Sequence, residues 1–214
     1  SNTILFVHGY HGVSDLFLCS RNNKIYDYVG TFISRFFNYI YIPEKDCIYI
    51  LASSNQQAIS PYYILTKSLG NVININYATH NQLYIPTRRS LLLYIQRGFV
   101  EISIDSNAIV RTLLIDNIGG PGWMQLADDR YLYMINSSQS NSRLLCYDLI
   151  DGIIIADIAL PCSVSYYPRI CVYDSNTKRL FIGYGGSANP IRVIDADPQS
   201  VSFNQIIASI GNYL

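Results

Sequence analysis

The stretch Trp123–Ala159, WMQLADDRYLYMINSSQSNSRLLCYDLIDGIIIADIA, decides the fold. It divides into four short segments rich in aliphatic and aromatic residues: Trp123–Ala127, Tyr131–Asn136, Arg143–Leu149 and Ile154–Ala159. Asp128-Asp129-Arg130, Ser137–Asn141 and Ile150-Asp151-Gly152 separate them. Such side chains suit the pleated surface of a strand, while Asp, Asn, Gly and Ser supply the backbone conformations of turns. No helical stripe runs through the stretch, so it reads as four antiparallel strands.

Its second strand recurs along the chain at Ile4-Leu5-Phe6-Val7, Ile48-Tyr49-Ile50-Leu51, Leu91-Leu92-Leu93-Tyr94 and Leu180-Phe181-Ile182-Gly183. With Tyr131-Leu132-Tyr133-Met134 in its place, the starts lie 44, 43, 40 and 49 residues apart. A period of about 40 to 50 residues with four short strands each is the pattern of a propeller blade. The expected fold is therefore all-β: a β-propeller of about five four-stranded blades, either a closed ring or part of a larger one. The blades fall near residues 1–34, 39–77, 82–118, 123–160 and 169–211, with 1–214 as a single domain.

The last blade repeats the plan with Arg169–Tyr173, Leu180–Tyr184, Ile191–Asp195 and Phe203–Ser209. Tyr39–Pro43, Ile48–Ala52, Tyr62–Lys67 and Val72–Tyr77 make the second, and Gln82–Pro86, Leu91–Gln96, Val100–Asp105 and Arg111–Asp116 the third. The first repeat supplies Thr3–Val7, Leu16–Ser20 and Tyr28–Ile33 and lacks an inner strand, giving about nineteen strands in all. Asn212-Tyr213-Leu214 is the segment available to complete it. Closure removes open sheet edges, which favours the five-blade ring.

Composition limits function. The 214-residue chain has zero formal net charge and only 14% charged residues. The long-range attraction of a nucleic-acid binder is therefore missing, and no nucleic-acid partner is expected. No apolar run is long enough for a membrane-spanning helix. Cys19, Cys47, Cys146, Cys162 and Cys171 show no Cys-x-x-Cys spacing and read as small apolar strand residues, with a Cys162–Cys171 bridge as the alternative.

Phe99-Val-Glu-Ile-Ser-Ile-Asp105-Ser-Asn-Ala-Ile-Val-Arg-Thr-Leu114 and Ile191-Arg-Val-Ile-Asp195-Ala-Asp-Pro-Gln-Ser-Val201 resemble the YVTN-type propeller repeat. In that repeat a strand ends in Ile-Asp, a polar turn follows and an outer strand returns. The resemblance covers most of the chain from Tyr39 onward. It implies a surface-exposed or extracytoplasmic propeller, sometimes lactonase-like, and leaves the activity open.

In such a blade, the turns joining strands one to two and three to four share one face. The remaining loops share the other. The first set is short and charged, as in Glu44-Lys45-Asp46, Arg88-Arg89, Asp128-Asp129-Arg130 and Asp195 with Asp197, and reads as solvated turns. The second set comprises His8–Asp15, Arg35–Asn38, Ser53–Pro61, His80-Asn81, Gly119–Trp123, Ser137–Asn141, Cys162–Pro168 and Gly185–Pro190. Trp123, Tyr10, Phe36, Phe37, Tyr166, Tyr167, His80 and Asn81 are its candidate ligand-binding residues. Rings beside amides and hydroxyls suit a glycan, whose C–H faces stack while its hydroxyls hydrogen-bond, and they suit a protein partner equally. The opposing reading of Trp123 is a ring packed between blades.

Catalytic motifs are weak. Thr3–Gly12 resembles the strand and His-Gly loop of α/β-hydrolases, yet the chain lacks a Gly-x-Ser-x-Gly elbow. His8, His11 and Asp15, with His80 as a fourth ligand, are candidates for a metal, although their spacing is generic. A lactonase-like cation site draws on several carboxylates and amides, whereas these loops offer essentially Asp15. Asn136-Ser137-Ser138 is a glycosylation sequon.

The expected function is thus a non-enzymatic, surface-exposed binding propeller on a cell or virion, with a glycan or protein ligand and no cofactor. A metal-dependent lactonase-like hydrolase is the first alternative. A structural scaffold in a homo-oligomer or larger assembly is the second.

Overall fold

The computed structural model describes residues 3–10, 13–20, 26–32, 39–51, 58–66, 68–77, 79–95, 98–114, 123–136, 142–160, 168–184 and 190–211. Side chains are described from Tyr39 onward, except at 51, 80, 81, 136 and 168–170. The described residues form twenty strands in five antiparallel sheets, the blades of a β-propeller.

The first blade is β1 (Thr3–Tyr10), β2 (Val13–Ser20) and β3 (Tyr26–Phe32). The second is β4 (Tyr39–Ile42), β5 (Cys47–Leu51) and β6 (Ala58–Tyr63), with the short outer pieces β7 (Ser68–Leu69) and β8 (Ile73–Asn74). The third runs β9 (Thr79–Ile85), β10 (Ser90–Ile95), β11 (Gly98–Ser103) and β12 (Ala108–Leu114). The fourth runs β13 (Met124–Ala127), β14 (Tyr131–Asn136), β15 (Arg143–Asp148) and β16 (Ile153–Ala159). The fifth runs β17 (Pro168–Asp174), β18 (Arg179–Tyr184), β19 (Ile191–Asp195) and β20 (Ile206–Ile210). First strands of successive blades touch in chain order, β4 to β9, β9 to β13 and β13 to β17. The segment 212–214 proposed to complete the first blade lies outside the described residues.

Alternation along each strand explains the core. One face of a blade packs on the preceding blade and the other on the following one, so central strands bury both faces and read as continuous apolar runs. All six residues of β10 are buried. Tyr49, Ile59, Leu91, Leu93 and Val100 form the interface of the second and third blades. Leu92, Tyr94, Phe99, Leu132, Met134 and Tyr147 fill the next interface. Tyr133, Ile135, Cys146, Cys171, Leu180 and Ile182 fill the one after it. Truncating one such side chain, as in Leu93→Ala, costs about 3 kcal/mol through lost transfer energy and the cavity left behind.

Four expectations are corrected. The loop expected at Ser53–Pro61 is partly strand, because β6 begins at Ala58 and pairs Pro61 with Tyr49. Pro61 turns its carbonyl outward to accept the Gly70 N–H at 2.7 Å, so its missing donor is absent only from the outer ladder. There the expected strand Val72–Tyr77 is reduced to β8, and a second two-residue piece, β7, precedes it. A Cβ at Gly70 would lie 2.7 Å from the Pro61 ring, which explains glycine at this close approach.

The expected loop His8–Asp15 is mostly hairpin: β1 and β2 extend until Tyr10 pairs with Val13. The outer strand of the fifth blade starts at Ile206 rather than Phe203. Phe203 lies in the preceding turn and packs edge-on against Tyr131 of the fourth blade, ring centroids 5.2 Å apart. Cys171 is a free thiol buried between the fourth and fifth blades, in keeping with its reading as a small apolar strand residue and against the alternative of a bridge to Cys162. Cys162 lies outside the described residues.

Candidate functional site

The charged turns do more than face water, which revises their reading as merely solvated. Lys45 of the second blade donates to the Ile104 carbonyl of the third and lies 3.8 Å from Asp105. Arg88 and Arg111 of the third blade both reach the Leu149 carbonyl of the fourth at 3.3 Å. The two guanidiniums also hold Glu101, whose side chain is only 4% exposed, and Ser90 donates to it at 2.8 Å. Lys178 and Tyr173 of the fifth blade both donate to Asp128 of the fourth at 2.7 Å. Every contact between neighbouring blades from the second to the fifth is therefore tied on this face.

Five carboxylates in or beside these turns, Asp105, Asp128, Asp148, Asp174 and Asp195, titrate below their ordinary range. Burial pushes the Asp128 carboxyl up, but hydrogen bonds from Lys178 and Tyr173 outweigh it and leave the group below its ordinary range. Burial likewise opposes the fall at Asp148, where Arg130 and the backbone N–H groups of Asp151 and Ile150 prevail. These groups are held in place by structural partners.

On the opposite face, three first strands begin at a common level of the repeat. Trp123 accepts the Ile135 N–H through its carbonyl at 2.9 Å, extending the β13 ladder by one residue. Counting from the start of each hairpin, Asn81 opposite Tyr94 and Ile170 opposite Gly183 occupy the same position. His80 and Arg169 precede them, and each is the extra residue of a β-bulge: Tyr94 and Ile95 pair with Asn81 and Thr79, and Gly183 and Tyr184 with Ile170 and Pro168. Bulges bend a strand locally and re-aim the chain where pairing ends.

Strand alternation places Trp123 on the sheet face that carries Tyr133 and Ile135, yet the residue remains 46% exposed. It is not enclosed between blades. His80 and Asn81 belong to β9 rather than to a loop, and Tyr10 ends β1. Phe36, Phe37, Tyr166, Tyr167 and His11 lie outside the described residues. Of the metal candidates, His8 and Asp15 are partners across β1 and β2. Among the described residues no three His, Cys, Asp or Glu side chains gather to hold a metal ion, and no helix is long and apolar enough to cross a membrane. Arg169 was not among the candidates, because its place as the extra residue of a bulge becomes visible only once β17 and β18 are paired.

No protein-family model and no curated protein matches the chain. Solved structures do: Kuenenia stuttgartiensis hydrazine synthase is similar at a TM-score of 0.69 and 12% identity, over 93% of this chain and 62% of that one. The dihydro-heme d1 dehydrogenase NirN in complex with DHE is similar at 0.69 and 14% identity, over 98% of this chain and 45% of that one. The chain thus spans less than two thirds of either. At such identity the likeness concerns the propeller fold and no activity.

Proposed function

We propose that the chain is a binding propeller that presents the face around Trp123 to a glycan or a protein partner, as a surface-exposed module. The observation carrying this reading is the exposed indole at the start of β13, which touches β9 and β17 on either side. On the opposite face Lys45, Arg88, Arg111 and Lys178 are engaged in joining neighbouring blades, which favours the Trp123 face for a ligand. An exposed aromatic ring stacks on a sugar or anchors a protein side chain.

A glycan array probed with the parent chain and with Trp123→Ala tests the proposal. Saturable binding that the substitution abolishes, at an unchanged unfolding midpoint, supports it. Absence of glycan binding leaves the protein partner, tested by crosslinking from a photoreactive residue at position 123. A second reading makes the propeller one unit of a larger enzyme. It draws on the similarity to two enzymes whose chains are longer than this one.

A further inference from the structure

We propose that the ligand at the Trp123 face is a carboxylate-bearing sugar, recognised through Arg169 with His80; this rests on the glycan reading above. β13 touches β9 on one side and β17 on the other, so the blades carrying His80 and Arg169 flank the blade carrying Trp123. Both residues occupy the same repeat position and both are the extra residue of a bulge. Two blades therefore hold a histidine and an arginine at one register position of the repeat, on either side of the blade that begins at the exposed Trp123.

The chemistry of these residues selects the ligand. A guanidinium is always charged and presents a planar pair of donors that matches a carboxylate, while imidazole adds a donor and a partial charge near neutral pH. A neutral sugar would use Trp123 and leave Arg169 without a role.

The test compares lactose with 3′-sialyllactose, titrated against the parent, Arg169→Gln and Trp123→Ala, with melting curves for each. The parent is expected to prefer the acidic probe, and Arg169→Gln to weaken that probe about tenfold, the loss of one charge-assisted contact, while lactose is unchanged. Trp123→Ala should weaken both. Equal binding of the two probes by the parent, or equal weakening of both by Arg169→Gln at an unchanged melting point, overturns the carboxylate proposal and leaves the glycan reading standing. No saturable binding of either probe by the parent, with glycans bound elsewhere on the array, overturns it as well; no binding to any glycan removes both readings.

A separate observation concerns the outer edges. In the first, third, fourth and fifth blades the fourth strand carries one unpaired extra residue at the same register: Val29, Val110, Ile155 and Ile207. These strands, YDYVGTF, AIVRTLL, IIIADIA and IIASI, contain no lysine and no proline, the usual guards of an open edge. In the second blade the edge consists of two-residue pieces. We infer that the repeated bulge keeps blade edges of different copies from pairing.

Deleting Ile155 would join Ile154 to Ala156 and make the ladder with Tyr147 and Cys146 continuous. A folded deletion variant is expected to associate beyond the parent in sedimentation velocity, and Ile153→Lys in the same background to reverse this. A folded variant that sediments like the parent overturns the inference. So does loss of the fold on deleting Val110, Ile155 and Ile207 one at a time, since the bulge would then be a packing requirement.

Discussion

Tyr133 of the fourth blade donates its phenolic hydrogen to Asn204 Oδ1 of the fifth at 2.7 Å, across 71 positions of sequence. Asn204 holds a left-handed turn conformation with φ of 64°. Tyr49 makes the equivalent bond to Asn107, whose φ is 51°. Between these pairs the third blade has Leu92 at the tyrosine position and the fourth has Gly152, at φ 72°, as the left-handed residue of the corresponding turn. Donor and acceptor are present together or absent together, which avoids a buried hydroxyl without a partner.

Replacing Tyr133 by Phe should cost about 1 to 2 kcal/mol, the usual penalty for removing one partner of a buried bond. Asn204→Gly keeps the left-handed backbone accessible. In a double-mutant cycle by urea unfolding, the two substitutions should couple by about 1 kcal/mol. Additive losses would mean that the bond contributes nothing of its own.

Glu101→Ala should destabilise far more than Arg88→Ala. The first leaves two guanidiniums without their shared carboxylate, at a cost of about 3 kcal/mol, whereas the second leaves Glu101 still paired with Arg111. Chemical denaturation of the two variants gives the ranking directly.

Acid should weaken the ties between blades. A carboxyl whose folded pKa lies below its unfolded value, about 3.9 for Asp, adds stability that is complete above that value and is lost as pH falls through the folded one. Asp105, held low first by its hydrogen bond from Arg89, joins Asp128 and Asp148 in this group. The melting temperature should fall steeply below about pH 4, and Asp128→Asn should make that acid limb shallower while lowering the plateau.

Burial pushes the Cys47 thiol up to about 11 and the Cys146 thiol to about 12, and raises that of Cys171 as well. In a Cys19→Ser, Cys162→Ser background none of the three should react with a thiol reagent at pH 8 until the chain unfolds. Rapid labelling of the native protein would place a thiol at the surface.

Much of this fold was legible because blade strands repeat with Asp, Asn and Gly between them; the fourth blade lies within one residue of its expected limits. Pro61 misled because a proline normally marks a strand end, and its place opposite a broken outer strand is a property of pairing. Bulges leave no mark in hydrophobic patterning, since Val110 or Ile155 extends a β-branched run whether paired or not. The same holds for the bulge at Arg169. The interblade ties of Lys45 and Lys178 were equally hidden, because turn composition alone does not say which turns meet. Trp123, expected on a loop beside Gly119, Gly120 and Gly122, is exposed at the start of β13.

The decisive measurement is simple, because Trp123 is the only tryptophan and its fluorescence reports on the proposed face alone. Titration with glycans retained on the array should shift or quench the emission saturably, with the same dissociation constant as direct binding. Binding that leaves the emission unchanged, or that Trp123→Ala does not weaken, would contradict the assignment of ligand recognition to this face.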